Sequence, residues 1–499
     1  MKNIIRVVCF CLFLLLILKK TDDIFKFKYG DGIYGIQKFY EQKEDTVDTL
    51  ILGSSHAFED INTGVFWEKY GIASYILAGS FQPMWNTYYY LKEALKTQEP
   101  ELIVLEAYTT IIDSDYMDDS RIIKNTYGMK WSKDRIDAVK ISAPQKRWME
   151  FLLPYMQYHT RYAELSREDF LKNKGNIQYE SWKGFGCNMA VTAFPTPDIS
   201  KVTKREKMSN KTETYYRKII ELALQSKIPI LVVLSPYAGI TEEEQAVFLS
   251  AGDIAKEYGV DFINYNLLYK ESDIDFSKDA ADPGHLNYRG NQKFSSVLGQ
   301  YISDHYDITD RRGDAEYQSW EKQTKYIMAT IRNQELKEAV TVEDLAKRMK
   351  NPNYKICVSL NGDCAGDEQN LEKLFQKLAI PYIKNSGFWV IDGDNYKVQY
   401  ANRMEEDFLH FRWDGHDLCI RRWFDEGSLS YVNMLTFDRT VYQKVESGVN
   451  ILVYCTITQS VVNDFGIQAE DFIVKKDGCL DIKRDSNRNS NTSFMAESG

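Results

Sequence analysis

The chain of 499 residues exceeds one ordinary domain, so two or three folding units are expected. A formal net charge of -10, with no basic stripe interleaved with aromatics, argues against a nucleic-acid surface. The eight cysteines are scattered without CxxC or CxxH spacing, which argues against a disulfide framework and a structural zinc site.

Residues 4–18 form an apolar run interrupted by Arg6 and closed by Lys19-Lys20. No small-x-small cleavage pattern follows, so the run reads as an uncleaved signal anchor over residues 1–30 rather than a cleaved signal. Snorkelling of Arg6 and the lysines would let so short a run cross a thin bilayer once.

From Val47 to Tyr301 the hydrophobic period alternates between strand and helix. Apolar β-runs fall at Val47–Leu52, Ser74–Ala78, Leu102–Leu105, Ile228–Leu234 and Val260–Ile263. Helical patterns lie between or after them at Pro83–Thr97, Thr212–Ser226, Thr241–Tyr258 and Arg289–Tyr301. Continuous apolar strands alternating with amphipathic helices predict an α/β domain over 31–310, its parallel sheet covered on both faces. The alternation breaks over 107–211, a polar, helix-like insertion that reads either as a lid or acceptor-binding wall or as a peripheral subdomain with its own core. The stretch 311–350 reads as a helical linker. Strand-like runs at Ile356–Leu360, Gly387–Asp392, Lys397–Tyr400, Asp417–Arg421, Val432–Phe437 and Val449–Thr458 predict a β-rich accessory domain over 351–475. Asp392-Gly393-Asp394 reads as a hairpin turn, because five-ligand calcium spacing is absent. The polar tail 476–499 reads as disordered.

Two short pieces carry chemistry. The first strand runs into Gly53-Ser54-Ser55-His56, and much later comes Asp282-Pro283-Gly284-His285. A serine hydroxyl needs a base to take its proton and a third group to orient that base. Of the six histidines, His159 and His305 lie in helix-like text. His56 adjoins the serine and is poorly placed if the chain there is extended. His285 sits in a loop just before a helix, with Asp282 three residues back. Ser55, lying just beyond the first strand, and Gly79, just beyond the second, fall on the carboxyl edge where ligands of parallel sheets collect.

These pieces resemble the SGNH/GDSL hydrolases. GSSH in place of the usual GDS block is similar to the membrane-anchored branch that includes the lipoteichoic-acid D-alanylation protein DltD and polysaccharide O-acylation proteins. The similarity covers about residues 30–305, through DTLILGSSHAFEDINTGVFWEKYGI, YILAGSFQPMWNTYYYLKEALKTQEPELIVLEAY and DPGHLNYRGNQKFSSVLGQYI. It implies a flavodoxin-like α/β/α fold with Ser55 as nucleophile, His285 as general base and Asp282 as its orienter. The Ser55 and Gly79 N–H groups would bind the oxyanion. The family's Asn block is replaced here by Leu105-Glu106-Ala107-Tyr108, which leaves Gln82 or Asn86 as side-chain substitutes. Fragments at 354–395 and 432–467 are weakly similar to the interleukin-like (ILEI) β-domain.

The expected function is acyl-ester transfer or hydrolysis, O-acetyl or D-alanyl, on a cell-surface or secreted glycan, without metal or cofactor. The body would lie outside the cell, with an acylated glycan or acyl carrier and a membrane-bound O-acyltransferase as partners. The competing expectations are a non-catalytic glycan-binding or assembly protein on the same scaffold, and a thioesterase acting on a carrier-borne acyl group.

Overall fold

The computed structural model describes residues 2–25, 32–153, 158–170, 182–361, 368–384, 387–392, 395–399, 407–427, 430–468 and 472–476. The chain divides into two compact units, Met1–Ile327 and Met328–Gly499.

In the first unit, β1 (Thr49–Gly53), β2 (Ser74–Ala78), β3 (Leu102–Glu106), β4 (Ile230–Leu234) and β5 (Asp261–Asn264) form one sheet ordered β2-β1-β3-β4-β5. Every pairing in it is parallel. This is the doubly wound order in which the winding reverses at β1 and β3, opening a crevice at their carboxyl ends. Strands β1 to β4 are buried at every position, which is why their text is unbroken apolar rather than alternating. Strand β5, at one edge, exposes Asp261. Strand β2 lies at the other edge yet is fully buried, because the chain returns alongside it: the Ile76 N–H donates to the Lys183 carbonyl at 2.9 Å.

Helices follow the predicted periodicity and begin where capping chemistry starts them. Thr241 and Glu244 form a reciprocal capping box at the start of Glu242–Glu257, and Ser209 caps Asn210–Gln225. With Met84–Ala94, these helices bury Trp85, Tyr90, Tyr216, Ile219 and Phe248 in one core with Leu50, Leu52, Ile103 and Leu105 of the sheet. Thr63–Tyr70 packs against Tyr288–His305, where Gly299 admits the Tyr70 ring. The insertion supplies helices Asp119–Lys124, Lys133–Ser142 and Trp148–Leu152. It has a small core of its own around Ile122, Val139, Ala143 and Phe151, while Met129, Ala138, Ile199 and Met208 join the core of the sheet.

The second unit holds two antiparallel sheets. One has four strands, β9 (Asp407–Trp413) to β12 (Thr440–Val441); the other has six, β6 (Tyr354–Asn361), β7 (Phe388–Asp392), β8 (Asn395–Gln399), β13 (Gly448–Cys455), β14 (Ser460–Ile467) and β15 (Val474–Lys475). Cys357, Phe388, Leu452 and Tyr454 of the larger sheet pack against Trp413, Leu418, Ile420, Leu435 and Phe437 of the smaller. The opposite face of the larger sheet buries Val342, Leu345 and Met349, from within the stretch read as a linker, together with Leu371 and Phe375. The turn read at Asp392-Gly393-Asp394 and the tail from 477 lie outside the described residues, apart from Asp392.

Lys2–Phe25 is helical, and its apolar side chains over residues 4–18 are exposed all round, Ile4 by 68% and Leu16 by 64%. Among the described residues no helix is long and apolar enough to cross a membrane. Residues 4–18 at 1.5 Å rise cover about 22 Å, against a hydrocarbon layer of ~30 Å, and charges flank both ends.

Gly184 tests how β2 is covered. Its φ is +84° and an added Cβ would fall 1.9 Å from the Ile76 carbonyl oxygen. Gly184→Ala should lower the unfolding free energy by about 1–3 kcal/mol in urea titration. An unchanged midpoint would show that the returning segment does not seal the edge.

Candidate functional site

Three residues read from the sequence meet at the carboxyl edge of the sheet. Beyond β1 the chain does not remain extended: it turns into the helix Ser55–Asp60, with Ser54 as its N-cap. The turn needs Gly53, because a Cβ there would lie 2.8 Å from the Glu106 Cβ and 3.0 Å from the Ala57 Cβ. Ser55 is 7% exposed, and its Oγ lies 2.8 Å from His285 Nε2. His285 Nδ1 lies 2.9 and 3.0 Å from the two Asp282 oxygens.

Asp282 and His285 are held by their own loop. Asp282 Oδ1 accepts the N–H groups of Gly284 at 2.8 Å and His285 at 3.0 Å, an Asx-type turn that folds the carboxylate back under the ring. The His285 carbonyl accepts the Ala281 N–H, the Pro283 carbonyl accepts the Gly239 N–H, and Asn287 caps the helix that follows. The loop is tied to the serine's own helix by Asp60, whose Oδ1 accepts the Leu286 N–H at 2.8 Å. Burial pushes the Asp60 carboxyl well above the usual aspartate range.

With Asp282 accepting from Nδ1–H, Nε2 is left as the acceptor facing the serine hydroxyl, the geometry in which a hydroxyl can surrender its proton as it attacks. Glu59 stands near Asp282 and His285, and one ligand atom from each lies within 4.8 Å of the others. That grouping could hold a cation, but its Asp282 and His285 atoms are already engaged with each other and with Ser55.

The tentative oxyanion residues are placed differently. Gly53 pairs with Ala78, so Gly79 stands level with Ser54. An added Cβ at Gly79 would fall 2.4 Å from Asn125 Oδ1 and 3.0 Å from the Gly32 Cα. Asn86 is not brought to the serine. It is 1% exposed, its Nδ2 donates to the Asn125 carbonyl at 3.4 Å, and its Oδ1 accepts from Ser142. Those bonds tie Met84–Ala94 to the insertion and aim the amide at Asn125 and Ser142. Gln82, also buried, donates to Thr87.

Two residues at the site were misread or passed over. His56 does not point away: its ring centre is 5.0 Å from that of His285, because the backbone turns helical at Ser55 and strand alternation no longer applies. It stacks on Tyr108 at 3.8 Å and meets Tyr237 edge-on at 5.0 Å. Both its ring nitrogens are buried without a hydrogen-bond partner, and burial holds it well below the usual histidine range, so it is neutral. Glu106 is fully buried at the end of β3, and burial pushes its carboxyl up to about 8. A carboxylate closing an otherwise apolar strand, Leu102-Ile-Val-Leu-Glu106, was the available signal.

No family model matches this chain, and no curated protein matches it. A solved structure similar to it is a Bacteroides fragilis NCTC 9343 protein described as a "putative acylhydrolase", at 12% identity and a TM-score of 0.27. The match covers 54% of this chain and 94% of that one.

The two histidines are separable by substitution. His56 is neutral in the fold, so wild type should lose stability as pH falls below 6.5 toward the lowered folded value, while His56→Phe should lack that loss. Parallel acid melting curves for the two proteins would show that His56 is not held neutral.

Proposed function

We propose that the protein is a serine acyl-ester hydrolase or transferase in which Ser55 is the nucleophile, His285 the general acid–base and Asp282 its orienter. The observation that carries this reading is the continuous chain from Ser55 Oγ through His285 to Asp282, at 2.8 and 2.9 Å. Ser55 Oγ attacks the acyl carbonyl carbon as its proton passes to His285 Nε2. The N–H groups of Ser55 and Gly79 receive the oxyanion, and collapse expels the alcohol, which takes the proton from His285. Water, or a second hydroxyl, gives its proton to His285 and attacks the acyl-serine. Free acid or a new ester leaves, and Ser55 recovers its proton.

A glycan ester is the substrate we favour. Phe81 and Tyr108, both half-buried, meet edge to face at 6.0 Å, and Tyr108 stacks on His56 next to the site. Phe81 is held at φ +48°, a backbone conformation that costs a bulky residue ~1–3 kcal/mol and commonly marks a functional site. Such rings suit the C–H faces of a sugar, and the GSSH resemblance points the same way. The exposed apolar side chains of residues 4–18 suit attachment to a membrane, and we place the body outside the cell, near a membrane-bound acyltransferase. The binding-protein reading is favoured by one observation, the engagement of Asn86 away from the serine.

A fluorophosphonate probe should label the full chain at Ser55. Ser55→Ala and His285→Ala should abolish labelling, and Asp282→Asn should slow it, by up to about 10⁴-fold where the imidazole is misoriented. No labelling of wild type would favour the binding protein, and full labelling of His285→Ala would reject the relay. In cell fractionation the full chain should sediment with membranes and be digested by external protease. Recovery in the cytosol, protected from protease, would exclude a surface glycan as substrate.

A further inference from the structure

Glu106 takes no part in the proton relay, yet it is built into the corner that carries the serine. It lies level with Gly53 at the end of β3 and faces the ends of β1 and β4. Its Oε1 accepts the Tyr108 N–H at 3.1 Å, beyond β3. The N–H and hydroxyl of Ser54, beyond β1, and the N–H of Ser235, beyond β4, face the same carboxyl. Oε2 and Ser54 Oγ are both buried without a partner at ordinary hydrogen-bond geometry. No lysine or arginine pairs with Glu106 among the described residues; the groups around it are Asp60, Tyr108 and Tyr237, with His56 and His285 beyond. A carboxyl buried without a cation and beside another acid favours its neutral form.

We propose that Glu106 is a positioning residue: as a neutral carboxylic acid it clamps the Ser54–Ser55 corner to the ends of β3 and β4, holding the Ser55 hydroxyl and N–H in register with His285. The inference rests on the reading of Ser55 as nucleophile and deepens it. The acid can accept the facing N–H groups and still donate its own proton to the Ser54 hydroxyl. A carboxylate has no proton to give, and the Tyr108, Ser235 and Ser54 donors that favour its charge are outweighed by burial. Ionisation therefore loosens the corner, and the position the Asn block would occupy is given to holding the nucleophile rather than to binding the oxyanion.

The test uses the full chain and p-nitrophenyl acetate. Wild-type kcat should fall as pH rises through about 8, because the protonated form is the competent one. Glu106→Gln keeps the shape and an NH₂ donor without titrating. It should retain turnover within about tenfold and lose that alkaline fall. Glu106→Ala should lower kcat by about 10²-fold, the size of a lost oxyanion donor, with KM little changed. A second readout needs no activity. The folded carboxyl sits at about 8 against an ordinary 4.5, so the folded state binds the extra proton between those values. The wild-type melting temperature should therefore drop relative to Glu106→Gln across that window and then level. An alkaline limb shared by wild type and Glu106→Gln, or parallel melting curves, would overturn the clamp while leaving the nucleophile intact. A full chain that hydrolyses nothing at any pH, yet shows the melting difference, would overturn the nucleophile reading and the positioning role with it.

Discussion

A parallel sheet has to dispose of its polar strand ends, and here that constraint falls at the point where the winding reverses between β1 and β3. Connections leave these neighbours toward opposite faces, so no helix covers the space between their carboxyl ends. The chain fills it with Ser54, Ser55, His56 and Glu106, all at most 7% exposed. Buried polar groups on this scale are tolerated only where they are paired or neutral. The pairing of Ser55 with His285, the lowered imidazole of His56 and the raised carboxyl of Glu106 follow from that burial.

Precision at the serine comes from bonds that are not part of the proton relay. Asp282 spends one oxygen on two backbone N–H groups of its own turn as well as on the imidazole. Its position is thus set by the backbone before the ring arrives. Asp60 joins the serine's helix to Leu286, and Asn62 joins the next helix to Asn291 and Ser295 of Tyr288–His305. The loop bearing His285 and the helix bearing Ser55 are therefore bonded directly to each other. This is the rigid support that catalytic geometry needs and that loops alone do not supply.

Much of this was legible because apolar strands announce themselves. The runs around Leu50, Ile76, Val104 and Val232 became four fully buried strands, and the spacing of Asp282 and His285 foretold a turn that closes on itself. The misreadings share a cause. His56 was judged by strand alternation, but the chain turns helical one residue earlier, a change that no local propensity at Ser54-Ser55 declares. Glu106 was seen only as a missing asparagine, since the sequence does not reveal that three strand ends converge on it. Asn86 lay near enough along the chain to seem available, whereas the insertion's Asn125 and Ser142 engage its amide. The strand Asp407–Trp413 was passed over because His410 and Arg412 interrupt its apolar pattern. Val342, Leu345 and Met349 were lost in charged helical text, although together they form one buried face.

The nucleophilic role of Ser55 is tested most directly by catching the acyl-enzyme. The full chain, mixed with p-nitrophenyl acetate and quenched in acid before turnover completes, should carry one acetyl group on the peptide containing Ser55. Acetate released with no acyl group on that peptide, or with the group on another residue, would contradict it.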